Sequence, residues 1–140
     1  MAYGSVLTDV VQSSTTGTPP QFNDGSGTQV GTLCRAWVNF NGVTTATSAT
    51  INASFNVSSV TRLNTGYYQV NFTNNLTDAN YALAGSAQDT LAGVSSICPG
   101  VCISSSDLSP KSTTQVKIDV VTAGGGAYID TLSVSVAIFR

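Results

Sequence analysis

The sequence predicts an all-β chain: a compact antiparallel β-sandwich or jelly-roll-like domain preceded by an extended N-terminal arm. Three observations carry that expectation. Apolar and polar residues alternate with period two at 34–40, 50–62, 66–73, 115–121 and 127–139, the pattern of pleated strands with one covered face. Gly and Asn stand between such runs, at Asn41-Gly42 and Asn64-Thr65-Gly66, which is hairpin-turn chemistry. No segment repeats apolar residues at i, i+3, i+4 and i+7 over three turns, so no long helix is expected.

Taken in order, residues 1–31 read as an attachment arm and linker, and 32–140 as the β-sandwich. Tyr3, Val6, Leu7, Val10 and Val11 are scattered among small and hydroxyl residues. They cannot bury one another, but Val6 to Val11 can add a strand to the sheet edge of a partner; a frayed terminus is the plainer alternative. Ser13 to Pro20 is a hydroxyl-rich stretch with Gly17 and the Pro19-Pro20 step, a linker that cannot build a core. Asn23 to Gly27 is a further turn.

The first strand places Cys34, Ala36, Val38 and Phe40 on one side and Arg35, Trp37 and Asn39 on the other. Residues 50–62 read as one strand with Ala53, Phe55 and Val57 on a common side. Tyr68, Val70 and Phe72 line one side of 66–73. Residues 34–72 hold the only Trp and three of the five Phe, so much of the aromatic core is expected from them. A loop follows to Asn80, and Tyr81 to Gly85 begins a returning strand. Residues 85–114 are the least regular. Pro99-Gly100 is a tight-turn pair, and Cys98 and Cys102 flank it, placed either for a disulfide across a hairpin or as two reduced thiols. Val116, Ile118 and Val120 share one side of the next strand. In the last, Ile129 is out of step with Leu132, Val134, Val136 and Ile138, which predicts a bulge near Asp130-Thr131. Ser133, Ser135, Ala137 and Phe139 take the opposite side. Seven to nine short strands result.

Composition narrows function. Charged residues make up 9% of 140 residues, against about 25% in an ordinary domain. Ser, Thr, Asn and Gly fill the polar positions instead. Net charge is −2 and no basic run appears, so nucleic-acid binding is not expected. No stretch approaches the ~20 apolar residues of a membrane helix, and no charged segment leading into an apolar run suggests a secretory leader. Neither His nor Glu occurs. A Ser–His–Asp triad and His-based metal sites are therefore excluded, and the expectation is a protein that is not an enzyme and carries no cofactor or metal. Asp78, Asp89, Asp107, Asp119 and Asp130 lack the spacing of a calcium loop and read as solvated turn residues. Gly124-Gly125-Gly126 has no phosphate-loop context. The Asn-x-Ser/Thr triplets at Asn52, Asn56, Asn71 and Asn75 are what so Asn-, Ser- and Thr-rich a chain contains by chance.

Trp37, Tyr67 and Tyr81 are the candidate surface aromatics. Trp37 lies opposite the apolar side of its strand and is either a platform for sugar or a contact between subunits; Tyr67 and Tyr81 share those two readings.

The sequence also resembles a family. Cys-Arg-Ala-Trp-Val-Asn-Phe-Asn-Gly at 34–42, Ala-Ser-Phe-Asn-Val-Ser-Ser-Val at 53–60, Tyr-Gln-Val-Asn-Phe-Thr at 68–73 and Leu-x-Asp-Ala-Asn-Tyr-Ala-Leu at 76–83 resemble a small domain of bacteriophage tail-fibre and related virion proteins, of the kind seen in marine and cyanobacterial phages. The opening Met-Ala-Tyr-Gly-x-Val-x-x-Asp is similar to the start of many phage fibre proteins. The resemblance covers about 34–85 well and 115–140 loosely. It implies a virion protein, usually homotrimeric, assembled in the host cytoplasm, where Cys98 and Cys102 would be reduced. The expectation is a short fibre, appendage or decoration component attached to other virion proteins through residues 1–12, with Trp37 as a subunit contact. The alternative is a fibre tip that binds host-surface glycan.

Overall fold

The computed structural model describes residues 8, 10–12, 14, 20, 22–31, 33–88, 99–122 and 126–140. The described residues contain ten strands and no helix. The chain divides into two units, Met1–Leu33 and Cys34–Arg140.

In the first unit, β1 (Phe22–Asn23) pairs antiparallel with β2 (Gln29–Gly31). The turn expected from Asn23 to Gly27 closes this hairpin. One Asp24 carboxylate oxygen accepts the amides of Ser26 and Thr28, each at 2.9 Å, and the Ser26 hydroxyl at 2.7 Å. Residues 22–31 are thus a small hairpin rather than part of an extended arm. Tyr3, Val6 and Leu7 lie outside the described residues; Val10 and Val11 are exposed.

The second unit is the expected sandwich. Its strands are β3 (Cys34–Asn41), β4 (Thr50–Phe55), β5 (Val57–Asn64), β6 (Tyr67–Phe72), β7 (Ala82–Ala87), β8 (Gly100–Ile103), β9 (Gln115–Val121) and β10 (Val134–Phe139). They form two four-stranded antiparallel sheets, sheet I in the order β4-β3-β10-β7 and sheet II in the order β5-β6-β9-β8. The alternation places Ala36, Val38, Phe40, Val134, Val136 and Ile138 on the inner face of sheet I. Val60, Tyr68, Val70, Val116, Ile118 and Val120 face them from sheet II, and all are buried. Phe40 meets Tyr68 edge-on with centroids 5.1 Å apart, and Phe72 meets Tyr81 likewise at 6.0 Å, a preferred aromatic geometry.

Three expectations change. Residues 50–62 are two strands in opposite sheets, because Asn56 adopts φ 54°, a left-handed conformation that Asn tolerates better than most residues. Its side chain pins that corner: Nδ2 donates to the carbonyls of Arg35 and Asn74, both at 3.1 Å, and Oδ1 accepts the Asn74 amide at 2.7 Å. Phe55 therefore points to solvent while Val57 is buried. Next, no hairpin tip forms at Pro99-Gly100, since Gly100 already pairs with Val121 in β8. Finally, Asp130 and Thr131 precede a strand that starts only at Val134. Leu132 is exposed rather than inward, while Thr131 is buried.

Residues 104–114 form a strap over the outer face of sheet II. The Ser104 amide donates to the Lys117 carbonyl at 2.9 Å, and the Lys117 amide to the Pro110 carbonyl at 2.7 Å. Asp119 lies beneath it, buried, with Oδ2 accepting the Ser105 amide at 3.0 Å and Oδ1 without a partner among the described residues.

Candidate functional site

Two of the exposed aromatics, Trp37 and Phe55, lie side by side on the outer face of sheet I. Register sets Phe55, Trp37, Ala137 and Ala84 in one row across β4, β3, β10 and β7. The adjacent row runs Ala53, Asn39, Ser135, Ser86. Phe55 is 56% exposed and Trp37 40%, large values for aromatic side chains whose burial ordinarily drives folding.

Beside Trp37 is an open cleft of about 450 Å³, lined by Trp37, Asn39, Ala84, Ser86, Ser135 and Ala137 among others, none of them charged. The small residues come from β7 and β10, so the aromatic row ends in a depression rather than a ridge. Gly85 deepens the thinness of this edge: a Cβ there would lie 2.7 Å from Val101 Cγ1, so β7 approaches the opposite sheet closely.

The polar row is held by its own hydrogen bonds. Asn39 Nδ2 donates to Ser133 Oγ and Ser135 Oγ, both at 2.9 Å, and Asn39 Oδ1 accepts from Asn52 Nδ2 at 2.8 Å. Asn39 thereby commits both amide hydrogens and one of the two lone pairs of its carboxamide oxygen. The hydroxyl hydrogens of Ser133 and Ser135 and the carboxamide oxygen of Asn52 have no partner among the described residues.

The other expected site residues are elsewhere. Tyr67 is half-buried on β6, in sheet II. Tyr81 is not a surface aromatic: it is 3% exposed and packed on Phe72. Its hydroxyl donates to the Gln115 carbonyl at 3.0 Å, and Lys111 Nζ sits 5.2 Å from the ring centroid. Burial pushes its phenol up to about 12. Neither a sugar nor a second subunit can reach that ring. Cys98 lies outside the described residues, and with it the Cys98–Cys102 pairing. Among the described residues, Cys34 and Cys102 are in no disulfide. Burial, with the Asp119 charge beside it, pushes the Cys102 thiol up, which disfavours the reactive thiolate.

Asp78 and Asp107 are partly exposed turn residues, accepting the amides of Asn80 and Ser109, and each is also in an ion pair; Asp119 and Asp130 are not solvated turns. Asp78 pairs with Arg140 at 2.6 Å, and Asp107 pairs with Lys117. Asp130 sits in a half-buried network that sequence reading did not find. Its Oδ2 accepts from Arg62 Nε at 3.0 Å and Nη2 at 2.6 Å, and its Oδ1 accepts the Gly66 amide at 2.8 Å and the Tyr68 hydroxyl. Burial pushes the Asp130 carboxyl up, but Arg62, the Gly66 amide and Tyr68 together outweigh that and hold it below the usual carboxylate range. Asp89 is outside the described residues. Among those described, no three His, Cys, Asp or Glu side chains gather to hold a metal ion.

No family model, curated protein or solved structure matches the chain.

Proposed function

We propose that this chain is a structural component of a phage virion: a homotrimeric short fibre, appendage or decoration protein attached to other virion proteins through residues 1–12. The observation that carries the reading is the division after Leu33. Every core residue identified among the described residues falls between Ala36 and Ile138, so the sandwich has a core of its own, which supports a separate attachment role for the segment before it. The resemblance supports the same reading, and the segments that carry it build β3 to β6 and the start of β7. An outer face with exposed aromatics and an uncharged cleft suits a protein that works by surface contact.

Deleting residues 1–12 should leave the melting temperature of the sandwich unchanged to within a few degrees and abolish incorporation into particles. Normal incorporation of the truncated chain would sink the attachment role. Sedimentation of the full chain at micromolar concentration should give a trimer; a stable monomer would exclude that assembly. A second reading, recognition of host-surface glycan, is favoured by the cleft beside Trp37.

A further inference from the structure

We infer that the cleft on the outer face of sheet I is a subsite for a neutral saccharide, with Trp37 as its stacking platform and Asn39, Ser135 and Ser86, which line it beside the ring, as its hydroxyl readers. The inference rests on the second reading of function and is independent of attachment through residues 1–12.

Four observations converge. Trp37 is 40% exposed on a strand whose alternate residues are fully buried, so its ring is placed outward by the fold rather than left over from the core. Stacking needs such a rigid, half-wet indole, apolar on its face and polar at its edge. The floor next to it consists of Ala84, Gly85 and Ala137, small enough to let a ring lie flat against the sheet. The volume of about 450 Å³ falls within the roughly 300–1,000 Å³ of small-ligand sites.

The polar row supplies the specificity. Asn39 is held by three hydrogen bonds of 2.8–2.9 Å and keeps one lone pair on its carboxamide oxygen, while Ser135, which lines the cleft with it, keeps its hydroxyl hydrogen for a ligand. Hydroxyl donors and a carboxamide acceptor beside an aromatic plane match a sugar, whose one face is C–H and whose rim is hydroxyl. No charged side chain lines the cleft. A uronate or sialate carboxylate would bind there without a counter-ion, losing hydration that nothing replaces. The cleft therefore selects neutral hexose or N-acetylhexosamine units.

Because Trp37 is the only tryptophan, its fluorescence reports this cleft alone. The full chain is titrated with a panel of neutral di- and trisaccharides and with sialylated and uronate counterparts. At least one neutral sugar should give a saturable emission change with millimolar affinity, and the acidic counterparts none. Trp37→Ala should weaken binding of that sugar, read by saturation-transfer NMR, by about tenfold. Ala84→Lys, on the exposed edge strand, leaves the indole in place and should abolish the emission change with the melting temperature intact. Silence across the neutral panel would overturn the proposal, as would an equal response to acidic sugars or a response that survives Ala84→Lys. Trp37 emission that shifts with protein concentration alone would show the face covered by a second copy, and would overturn it too. Particle incorporation is untouched by any of these variants, so failure here and failure of the attachment role are read separately.

Discussion

At the scale of residues, the stability of the sandwich turns on a few polar side chains placed where the backbone changes direction. Tyr68 is the clearest. Its ring is in the core against Phe40, and its hydroxyl reaches the Gly42 carbonyl at 3.0 Å and Asp130. Asp130 in turn holds the β5–β6 turn through the Gly66 amide and β5 through Arg62. Gly66 is irreplaceable there: φ is 62°, and a Cβ would lie 2.5 Å from the Ile129 nitrogen. Tyr68→Phe keeps the ring but removes the one hydroxyl proton that the Gly42 carbonyl and Asp130 share. A total loss of about 1–3 kcal/mol is expected, read by urea unfolding with an unchanged m-value. An effect under half a kcal/mol would mean that water replaces the hydroxyl.

At the scale of elements, the two ends of the sheets are joined by opposite devices. On one side Asn56 turns β4 into β5 by left-handed backbone and three side-chain hydrogen bonds. Asn56→Gly keeps the backbone and loses the bonds; Asn56→Ala loses the bonds and adds about 1–2 kcal/mol of backbone strain. The alanine variant should therefore be the less stable of the two, and the reverse order would remove strain from the account. On the other side Gly85 lets β7 approach Val101. Gly85→Ala should destabilise by about 1–3 kcal/mol through overpacking, and Val101→Ala in the same chain should recover part of that loss, a coupling measurable by a double-mutant cycle. These corners also mark what the sequence left unread. The buried faces of β3, β6, β9 and β10 follow directly from alternation at 36–40, 68–72, 116–120 and 134–138. Alternation is local, however, and says nothing about which strand neighbours which. Asn39 and Ser135 each stood on the outward side of their own strand, yet only the pairing of β3 with β10 makes them one row. Asn56 looked like an ordinary polar position within a run, because left-handed backbone leaves no periodic trace. Tyr81 sat one residue before its strand, where alternation does not apply, and packing against Phe72 decided its burial.

At the scale of the whole molecule, three ion pairs tie segments together. Arg62–Asp130, Lys117–Asp107 and Arg140–Asp78 join residues 68, 10 and 62 positions apart. The same pairings set the response to pH. Hydrogen bonds from Lys117 and from Arg140, respectively, lower Asp107 and Asp78, and the Asp130 network lowers that carboxyl against its burial. A carboxyl lowered in the folded state binds protons more readily when unfolded. Its contribution is complete above the unfolded value near 3.8 and is lost as pH falls through the folded values. Tyr68 and Tyr81 act in the other direction. Burial raises both phenols above 10.0, Tyr81 to about 12, so above pH about 10 the unfolded chain releases protons that the folded chain keeps, and stability falls. The sandwich should thus hold a flat stability plateau between about pH 5 and 9, with an acid limb beginning near pH 4 and an alkaline limb beginning near pH 10. With no His in the chain, the residue type whose charge ordinarily changes near neutrality is missing. Asp130→Asn should shrink the acid limb, since its carboxyl contributes there. Tyr81→Phe should shrink the alkaline limb and leave the acid one as it was. Urea midpoints measured from pH 2 to 11 on the three proteins test this, and a limb that Asp130→Asn leaves at full height would remove that network from the acid response.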